Sequence, residues 1–363
     1  MNNIAVSHLN VHKDVVPGDL TIKPFYLNDN NEFPKMEKVN SSAWELWYFD
    51  AVSHTGDAAV TISFFRDGAK SPHTDKIGFR TQVHVVWADG SIFDTENFAD
   101  ESVITQSPDS IEGSWRGPEV SITSGFHIAS DLTEANVTFA LPEVTGTMSL
   151  TNTSSSSTRT GATDAASLAL LTPQVHWLQP IPSAKVEVNL ILSNKPLRFH
   201  GRGGHDRFWT PYSWMTLMEE SIYLRATAGP YTFVLLQIVS RMDPGKTYIS
   251  AYLFENGERV FVGKTLEPSQ TENHMSLQRI YGGELKGKFD DANTGFLIEF
   301  VAPGSGKRWK FEVEHRFQWW NHPTGPVTGN SGFVEKVTGG EVDGTQYIGA
   351  GGSGQCRLPS GAK

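Results

Sequence analysis

The chain has 363 residues, of which 38% are hydrophobic and 19% charged, so it is neither disordered nor collagenous and is long enough for two domains. The formal net charge of −10 excludes a chain-wide positive field that would hold nucleic acid or an anionic membrane. The single cysteine, Cys356, excludes an intramolecular disulfide and a metal site built from cysteines alone.

The beginning of the chain and its apolar runs give an expectation about location. The first eight residues lack the cationic start and apolar block of a secretory signal. The most apolar run, 231–239, is short and is interrupted by Thr232 and Gln237, so no membrane span is predicted. We expect a soluble, cytoplasmic protein without membrane contact.

Hydrophobic residues recur with a period of two along most of the chain, which is typical of half-buried antiparallel strands. The alternation is clear over 82–87, 186–192 and 296–300, and turn-forming pairs such as Asp89-Gly90 separate such runs. Long helical patterns are nearly absent. The sequence therefore predicts an all-β protein.

A glycine-rich stretch at 200–204 is the best candidate for a domain boundary, because it follows a strand predicted to end near Leu197. It divides the chain into domains 1–200 and 201–363, each of a suitable length for a β-sandwich or a β-barrel. A ligand pocket is expected between them, since ligand sites favour domain interfaces. The glycine-rich tail, 349–363, is predicted to fray.

Motifs for common cofactors and catalytic groups are absent or out of context. The run 349–354 matches the dinucleotide fingerprint letter by letter, but the nine residues after it cannot form the required helix. Neither His-Glu-x-x-His nor Gly-x-Ser-x-Gly occurs. The pairs His200/His205 and His315/His322 fit no common metal spacing, so we expect no metal and no cofactor.

The first of three unusual segments is 43–50, Ala-Trp-Glu-Leu-Trp-Tyr-Phe-Asp. As a strand it places Glu45, Trp47 and Phe49 on one face and the intervening Trp-Leu-Tyr on the other. Both faces are apolar, so the strand is predicted to be buried on both sides with Glu45 inside.

The predicted burial of Glu45 has two explanations of equal weight. A buried carboxylate must find donors or stay protonated, because desolvation disfavours its charge. A structural Glu45 would pair with an arginine such as Arg80 or Arg225. A functional Glu45 would face a ligand instead.

The second segment, 203–214, combines glycines, an acid–base pair and large aromatic residues at the proposed domain joint. Asp206 and Arg207 are expected to form a structural ion pair. Trp209 and Trp214 are at least as well placed to line a cleft at the joint as to pack in a core.

The third segment runs from 317–323, which contains Trp320, to 332–340, which contains Lys336. The residue pattern around Lys336 is strand-like, and a lysine in that setting usually faces solvent. Between the second and third segments, Tyr223 lies on a further predicted strand.

Several stretches together carry a family resemblance that no single stretch would. They are 44–50, 78–89, 206–214, 223–225, 229–231, 308–313, 328–335 and 351–356. In this order the chain resembles the fungal decalin-forming Diels–Alderases, the pericyclases of polyketide–tetramic acid pathways. The resemblance extends from about residue 40 to Cys356. The Trp-Glu-Leu-Trp-Tyr segment is more distantly similar to carotenoid hydratase-like lipocalin relatives.

The resemblance implies an N-terminal β-sandwich and a C-terminal lipocalin-like β-barrel with the substrate between them. It also implies a cofactor-free intramolecular cycloaddition that converts a linear polyenoyl tetramic acid into a decalin. The substrate would come from a polyketide synthase–peptide synthetase. The sequence leaves a homo-oligomer open.

The resemblance also assigns residues by motif position. Glu45 and Lys336 match positions that contact the tetramic acid head, and Gln82 matches a polar pocket position. Trp214 and Tyr223 match pocket aromatics.

A cycloaddition agrees with the failed catalytic motifs, because it needs no nucleophile and no proton transfer. A shaped apolar cavity selects the reactive conformer of the polyene. A donor such as Lys336 or Gln82 at the dienophile's carbonyl would lower the barrier by less than the ~3 kcal/mol of an oxyanion-hole donor, while Glu45 anchors the head. The residues expected to contact the substrate are Trp47, Phe49, Asp206, Trp209, Trp214, Tyr223 and Trp320.

Two other functions remain open at this point. A lipocalin-like carrier would bind the polyene without accelerating its reaction. A hydratase would need a general acid, for which Glu45 and Asp206 are the candidates. Glu45→Gln should abolish hydration, weaken or misorient a cycloaddition and leave carriage nearly intact.

Overall fold

The computed structural model describes residues 4–25, 31–69, 76–117, 123–155, 168–289 and 292–360. Within these ranges the chain forms a short helix, α1 (Trp214–Leu217), and many antiparallel strands. No helix among them is long and apolar enough to cross a bilayer. The strands are β1 (Ala5–Asn10), β2 (Trp44–Ser53), β3 (Ala59–Asp67), β4 (Phe79–Val86), β5 (Ile92–Ala99), β6 (Glu101–Gln106), β7 (Ser110–Arg116), β8 (Thr123–Ala129), β9 (Glu134–Ala140), β10 (Val144–Asn152), β11 (Leu170–Thr172), β12 (Val175–Leu192), β13 (Lys195–Thr210), β14 (Met218–Ala228), β15 (Tyr231–Ser240), β16 (Thr247–Glu255), β17 (Glu258–Gly263), β18 (His274–Ile280), β19 (Gly295–Ala302), β20 (Lys307–Gly325), β21 (Thr328–Glu341) and β22 (Tyr347–Arg357).

The first sheet has the strand order β1-β6-β7-β8-β9-β10-β12-β13-β2-β3-β4-β5, with β11 beside β12. It curls so that β2–β5 face β6–β10 across a shared apolar core. The indole of Trp115 donates to the carbonyl of Phe65 at 2.9 Å, and the hydroxyls of Thr81 and Ser124 lie 3.0 Å apart. This arrangement confirms the predicted β-sandwich.

The second sheet has the order β17-β16-β15-β14-β22-β21-β20-β19-β18 and curls into a nearly closed barrel. The chain near its two edges is joined by the amide of Met275, which donates to the carbonyl of Thr265 at 3.1 Å. Aromatic rings such as Phe233, Phe300 and Phe311 fill its interior. The prediction of an all-β fold with a C-terminal barrel is thus confirmed, and the barrel interior is a packed core.

The chain passes from the first sheet to the second between Thr210 and Met218, through α1. The predicted boundary at residue 200 lies within β13, where the glycines do not end the strand. They let it approach its neighbour instead, since a Cβ on Gly203 would lie 1.9 Å from the carbonyl oxygen of Asp50.

Residues 349–357 of the glycine-rich tail form part of an ordered strand, so the prediction that they fray is wrong, whereas residues 361–363 of that tail lie outside the described residues. β22 pairs with β14 on one side and with β21 on the other. Its glycines make room for large neighbours, because a Cβ on Gly352 would meet the ring of Trp319 at 2.5 Å. The sequence of small residues therefore serves close packing, and not mobility.

Candidate functional site

β2 supplies side chains to two different places because both of its faces are buried, as predicted. Trp47 and Phe49 point into the core of the first sheet. Tyr48, Asp50 and Val52, on the alternate positions, point toward the barrel. Strand alternation alone therefore decides which residues of this segment reach the interface between the two sheets.

A cleft lies between the outer face of the barrel and the face of β2 and β13 that is turned toward it. The volume of the cleft that a water-sized sphere can reach is about 20 Å³, which is close to the space that one water molecule needs. The larger and polar side chains of its lining are Tyr48, Asp50, Ser183, Arg202, Tyr223, Arg225, Thr227, Thr232, Trp319, Trp320 and Ser353.

A buried polar cluster occupies one side of this cleft. Arg225 Nη1 lies 2.8 Å and 2.9 Å from the two carboxylate oxygens of Asp50, and its Nη2 bonds to Asp206. The hydroxyl of Tyr223 lies 3.0 Å from Asp50 and 2.9 Å from Asp206. Residues from β2, β13 and β14 thus meet in one network that joins the first sheet to the barrel.

Burial determines the protonation of this cluster. Burial raises the pKa of Asp206 above its ordinary value, and Arg225 offsets only part of that effect. Burial also raises the pKa of Tyr223 and of Tyr48 well above 10, so both phenols keep their protons. Burial alone would lower the pKa of Arg225, but Asp206 and Asp50 outweigh it, and the guanidinium stays charged.

Arg202 differs from the other charged residues of the cleft lining. It lies on β13 opposite Val52 and is partly buried. Within the described ranges it has no carboxylate partner, whereas Arg225 has two. The cleft therefore contains a cation that is open to an anionic ligand.

Two tryptophans of β20 form the opposite wall. Trp319 donates from its indole nitrogen to the carbonyl of His84 at 3.0 Å, and Trp320 donates to Asn330 at 2.9 Å. The ring of Trp320 stacks on His84 with centroids 5.1 Å apart. These contacts fix two large flat surfaces, with Trp319 beside Gly352 and Trp320 beside Gly354.

Several sequence-predicted site residues lie at this interface. Asp206 belongs to the polar cluster, and Tyr223 and Trp320 line the cleft. Trp214, on α1, packs against Trp44 with tilted rings and centroids 4.3 Å apart, in the apolar cluster next to the cleft.

Glu45 lies elsewhere, in the interior of the first sheet. It bonds to Arg207, lies 3.7 Å from Arg66 and accepts the amide of Lys35 at 2.9 Å. Arg207 is on the opposite face of β13 from Asp206, since neighbours in a strand alternate. The expected Asp206–Arg207 ion pair is therefore wrong, because each residue pairs on its own side.

Three predicted aromatic contacts also pack away from the cleft. Trp47 lies under the guanidinium of Arg207 at 3.7 Å, and Phe49 stacks on His205 at 4.3 Å. Trp209 stacks on His176 at 4.6 Å. No contact in the described structure brings these rings to the cleft, so their contact with substrate stays a prediction.

The two predicted donors are likewise outside the cleft lining. Gln82 donates to Glu96 at 2.9 Å. The side chain of Lys336 is 52% exposed, with its Nζ 3.8 Å from Glu314. Both roles stay predictions.

Sequence analysis missed Asp50, Arg202 and Arg225 as site residues. Asp50 ends the segment 43–50 and lies two residues after Tyr48, so the two side chains are on the same face of the strand. This alternation is the sequence signal from which Asp50 could have been predicted. Arg225 lies two residues from Tyr223 and hence on the same face of β14.

Comparison with known proteins identifies the family. The profile of the family described as Diels-Alderase-like matches residues 1–359. The Diels-Alderase mpsD of Macrophomina phaseolina is 35% identical over 92% of this chain and 87% of that protein. The Diels-Alderase fsa2 of Fusarium sp. (strain FN080326) is 33% identical over 99% of this chain and all of that protein.

Solved structures agree with this result. The crystal structure of CghA with Sch210972 matches with a TM-score of 0.87 and 30% identity, covering 98% of this chain and 99% of that one. Kievitone hydratase from Nectria haematococca matches with a TM-score of 0.53 and 11% identity over 95% of this chain and 98% of that one, which shows a shared fold alone. The chain therefore belongs to the Diels-Alderase-like family and is an enzyme of fungal metabolism that catalyses a Diels–Alder cyclisation.

Proposed function

We propose that the enzyme converts a linear polyenoyl tetramic acid into a decalin product by an intramolecular cycloaddition that needs no cofactor. The substrate would be released by a polyketide synthase–peptide synthetase in the cytoplasm. The observation that carries the proposal is a cleft with aromatic walls on one side and a polar cluster on the other, in a member of the Diels-Alderase-like family. Such a cleft suits a substrate with an apolar chain and a polar head.

The aromatic walls would act on the polyene. Few conformers of a flexible polyene bring diene and dienophile together, so holding one conformer removes an entropic part of the barrier. Tyr48, Trp319 and Trp320 are large and stiff, and each is fixed by ring or hydrogen-bond contacts. Their shape would decide which face of the diene reacts.

The polar side would hold the head. A 3-acyl tetramic acid is an acidic enol, so its anion would pair with Arg202, the lining cation without a carboxylate partner in the described structure. Asp50 lies on the same wall as Arg202 and could accept a hydrogen bond from the ring N–H, whereas Tyr223, on the barrel side, could donate to a carbonyl. A donor at the carbonyl conjugated to the dienophile withdraws electron density from it and lowers the barrier.

The cleft must open before such a substrate can enter. Drug-sized ligands occupy pockets of about 300–1,000 Å³, whereas the cleft has about 20 Å³ of room for a water-sized sphere. Binding would therefore separate the tryptophan wall from the polar cluster. Closure around the substrate would then impose the reactive conformer.

The decisive experiment is incubation of the purified enzyme with a linear polyenoyl tetramic acid, with the decalin diastereomers resolved against an enzyme-free control. We expect faster conversion into one dominant diastereomer. Arg202→Gln should raise KM at least tenfold with a smaller change in kcat. Arg198→Gln is the matched control on the same strand, because Arg198 is exposed and bonds to Asn189.

Other outcomes would separate the alternatives. Quenching of tryptophan fluorescence by the polyene with an unchanged diastereomer ratio would favour a carrier and contradict the proposal. Addition of water to a double bond would indicate a hydratase, with Asp206 as its candidate acid. Equal KM values for Arg202→Gln and wild type would contradict the proposed binding of the head by Arg202, but not the cycloaddition itself.

A further inference from the structure

A cluster of metal-ligand side chains lies behind the tryptophan wall. His84 on β4 and Asp94 on β5 are directly opposite each other across the strand pair, and His322 comes from β20 of the barrel. Asp94 Oδ1 lies 2.8 Å from His84 Nδ1, and its Oδ2 lies 2.8 Å from His322 Nε2. One candidate ligand atom from each residue lies within 4.8 Å of the other two.

The chemistry of these groups suits a transition-metal ion. Two imidazole nitrogens and one carboxylate are a donor set that Zn²⁺ and its neighbours in the first row prefer. His84 Nδ1 is buried and, despite its closeness to Asp94, has no hydrogen-bond partner of suitable geometry.

We propose that His84, Asp94 and His322 bind one divalent transition-metal cation, with Zn²⁺ as the best match, and that this cation clamps the first sheet to the barrel. The side chain of Asp94 is 37% exposed, which gives the ion a path from solvent and leaves a position for water. The site would be structural. It would fix the wall of the cleft, because Trp320 stacks on His84 and Trp319 bonds to its carbonyl.

The proposal is tested with the untagged, full-length protein after chelator treatment and desalting. Zn²⁺ is titrated calorimetrically, and Co²⁺ is titrated with its visible absorption as an independent signature. We expect one ion per chain and a raised melting temperature. His322→Ala and Asp94→Asn should each weaken binding by at least about tenfold, since each removes a ligand.

The matched control is His127→Ala. His127 also lies opposite a carboxylate residue, Glu112, on an adjacent strand, but it does not belong to the cluster of His84, Asp94 and His322. It should bind Zn²⁺ as wild type does. Stoichiometry well below one, or equal affinity in wild type, His322→Ala and Asp94→Asn, would overturn the proposal. Circular dichroism of each variant confirms that a loss of binding is not a loss of fold.

Discussion

Adjacent residues of one strand have unrelated tasks in this enzyme. Asp206 faces the barrel and joins the polar cluster of the cleft, whereas Arg207 faces the first sheet and neutralises Glu45. Both ion pairs are buried, so each charge depends on its partner. A substitution on β13 will therefore affect either the cleft or the interior of the first sheet, depending on which face of the strand carries the substituted residue.

Tyr223→Phe tests the hydroxyl that bridges two carboxylates. The change removes the donor to Asp50 and Asp206, so we expect slower cyclisation and a less selective diastereomer ratio, with about 1–2 kcal/mol lost from the free energy of unfolding. Product analysis and urea denaturation measure the two effects. Tyr248→Phe is the control, because its hydroxyl bonds to Asp243 at the surface. An unchanged diastereomer ratio in Tyr223→Phe would contradict a role of the Tyr223 hydroxyl in selectivity.

Lys264 gives the enzyme a pH-dependent stability. Burial lowers the pKa of Lys264 from 10.5 to about 8. Between these values the unfolded chain binds more protons than the folded one, so the Lys264 contribution to the free energy of unfolding rises with pH. Below pH 8 the folded enzyme carries the full cost of the buried charge.

Lys264→Met should remove that cost. We expect an increase of about 1 kcal/mol in the free energy of unfolding at pH 7, because partial solvation and bonds to the carbonyls of Leu168 and Leu170 already offset part of it. The rise of the free energy of unfolding with pH between pH 8 and 9.5, measured by urea denaturation, should become less steep. Lys310→Met, at an exposed lysine, should leave the slope unchanged. An unchanged slope in Lys264→Met would refute the assignment.

At the scale of elements, β22 uses glycine to place the tryptophan wall. In Gly352→Ala the new Cβ would lie 2.5 Å from the ring of Trp319, which is buried and held by its hydrogen bond to the carbonyl of His84. We expect a loss of about 1–3 kcal/mol in the free energy of unfolding, measured by urea denaturation, and an altered diastereomer ratio. Gly304→Ala, where no atom lies within 4 Å of the added Cβ, should change stability by less than about 0.5 kcal/mol.

The sequence predicted the β-strands better than it predicted which strands and faces pack against each other. Alternation identified the strands and the double burial of 43–50, because those depend on neighbouring residues. It could not decide which face of β2 meets the barrel, since that depends on the position of β14 and its Tyr223 and Arg225. For the same reason Trp47 and Phe49 were expected in the cleft, while Asp50 was overlooked.

At the scale of the whole molecule, the interface between the sheets is both apolar and ionic. Trp44, Leu46 and Phe208 of the first sheet share a buried cluster with Val234 and Leu236 of the barrel. The polar cluster of the cleft lies beside it. An interface of this kind should make the two sheets unfold in one transition.

Arg225→Met should uncouple the unfolding of the first sheet from that of the barrel. The change leaves Asp50 and Asp206 buried without their cation, at a cost of about 3–5 kcal/mol. We expect the single calorimetric transition to become two, with the barrel and the sandwich unfolding apart. Arg308→Met removes an exposed pair with Glu299 and should keep one transition. One transition at an unchanged temperature in Arg225→Met would disprove the coupling.

The strand order has a consequence for how the cleft forms. β2 pairs with β13 although β3 to β12 lie between them in sequence, and β14 pairs with β22 across β15 to β21. Pairings of such long range are slow, because loop closure must precede any gain in contacts. We expect both walls to be completed late in folding. Substitutions in the cleft should then mainly accelerate unfolding and leave the rate of folding little changed.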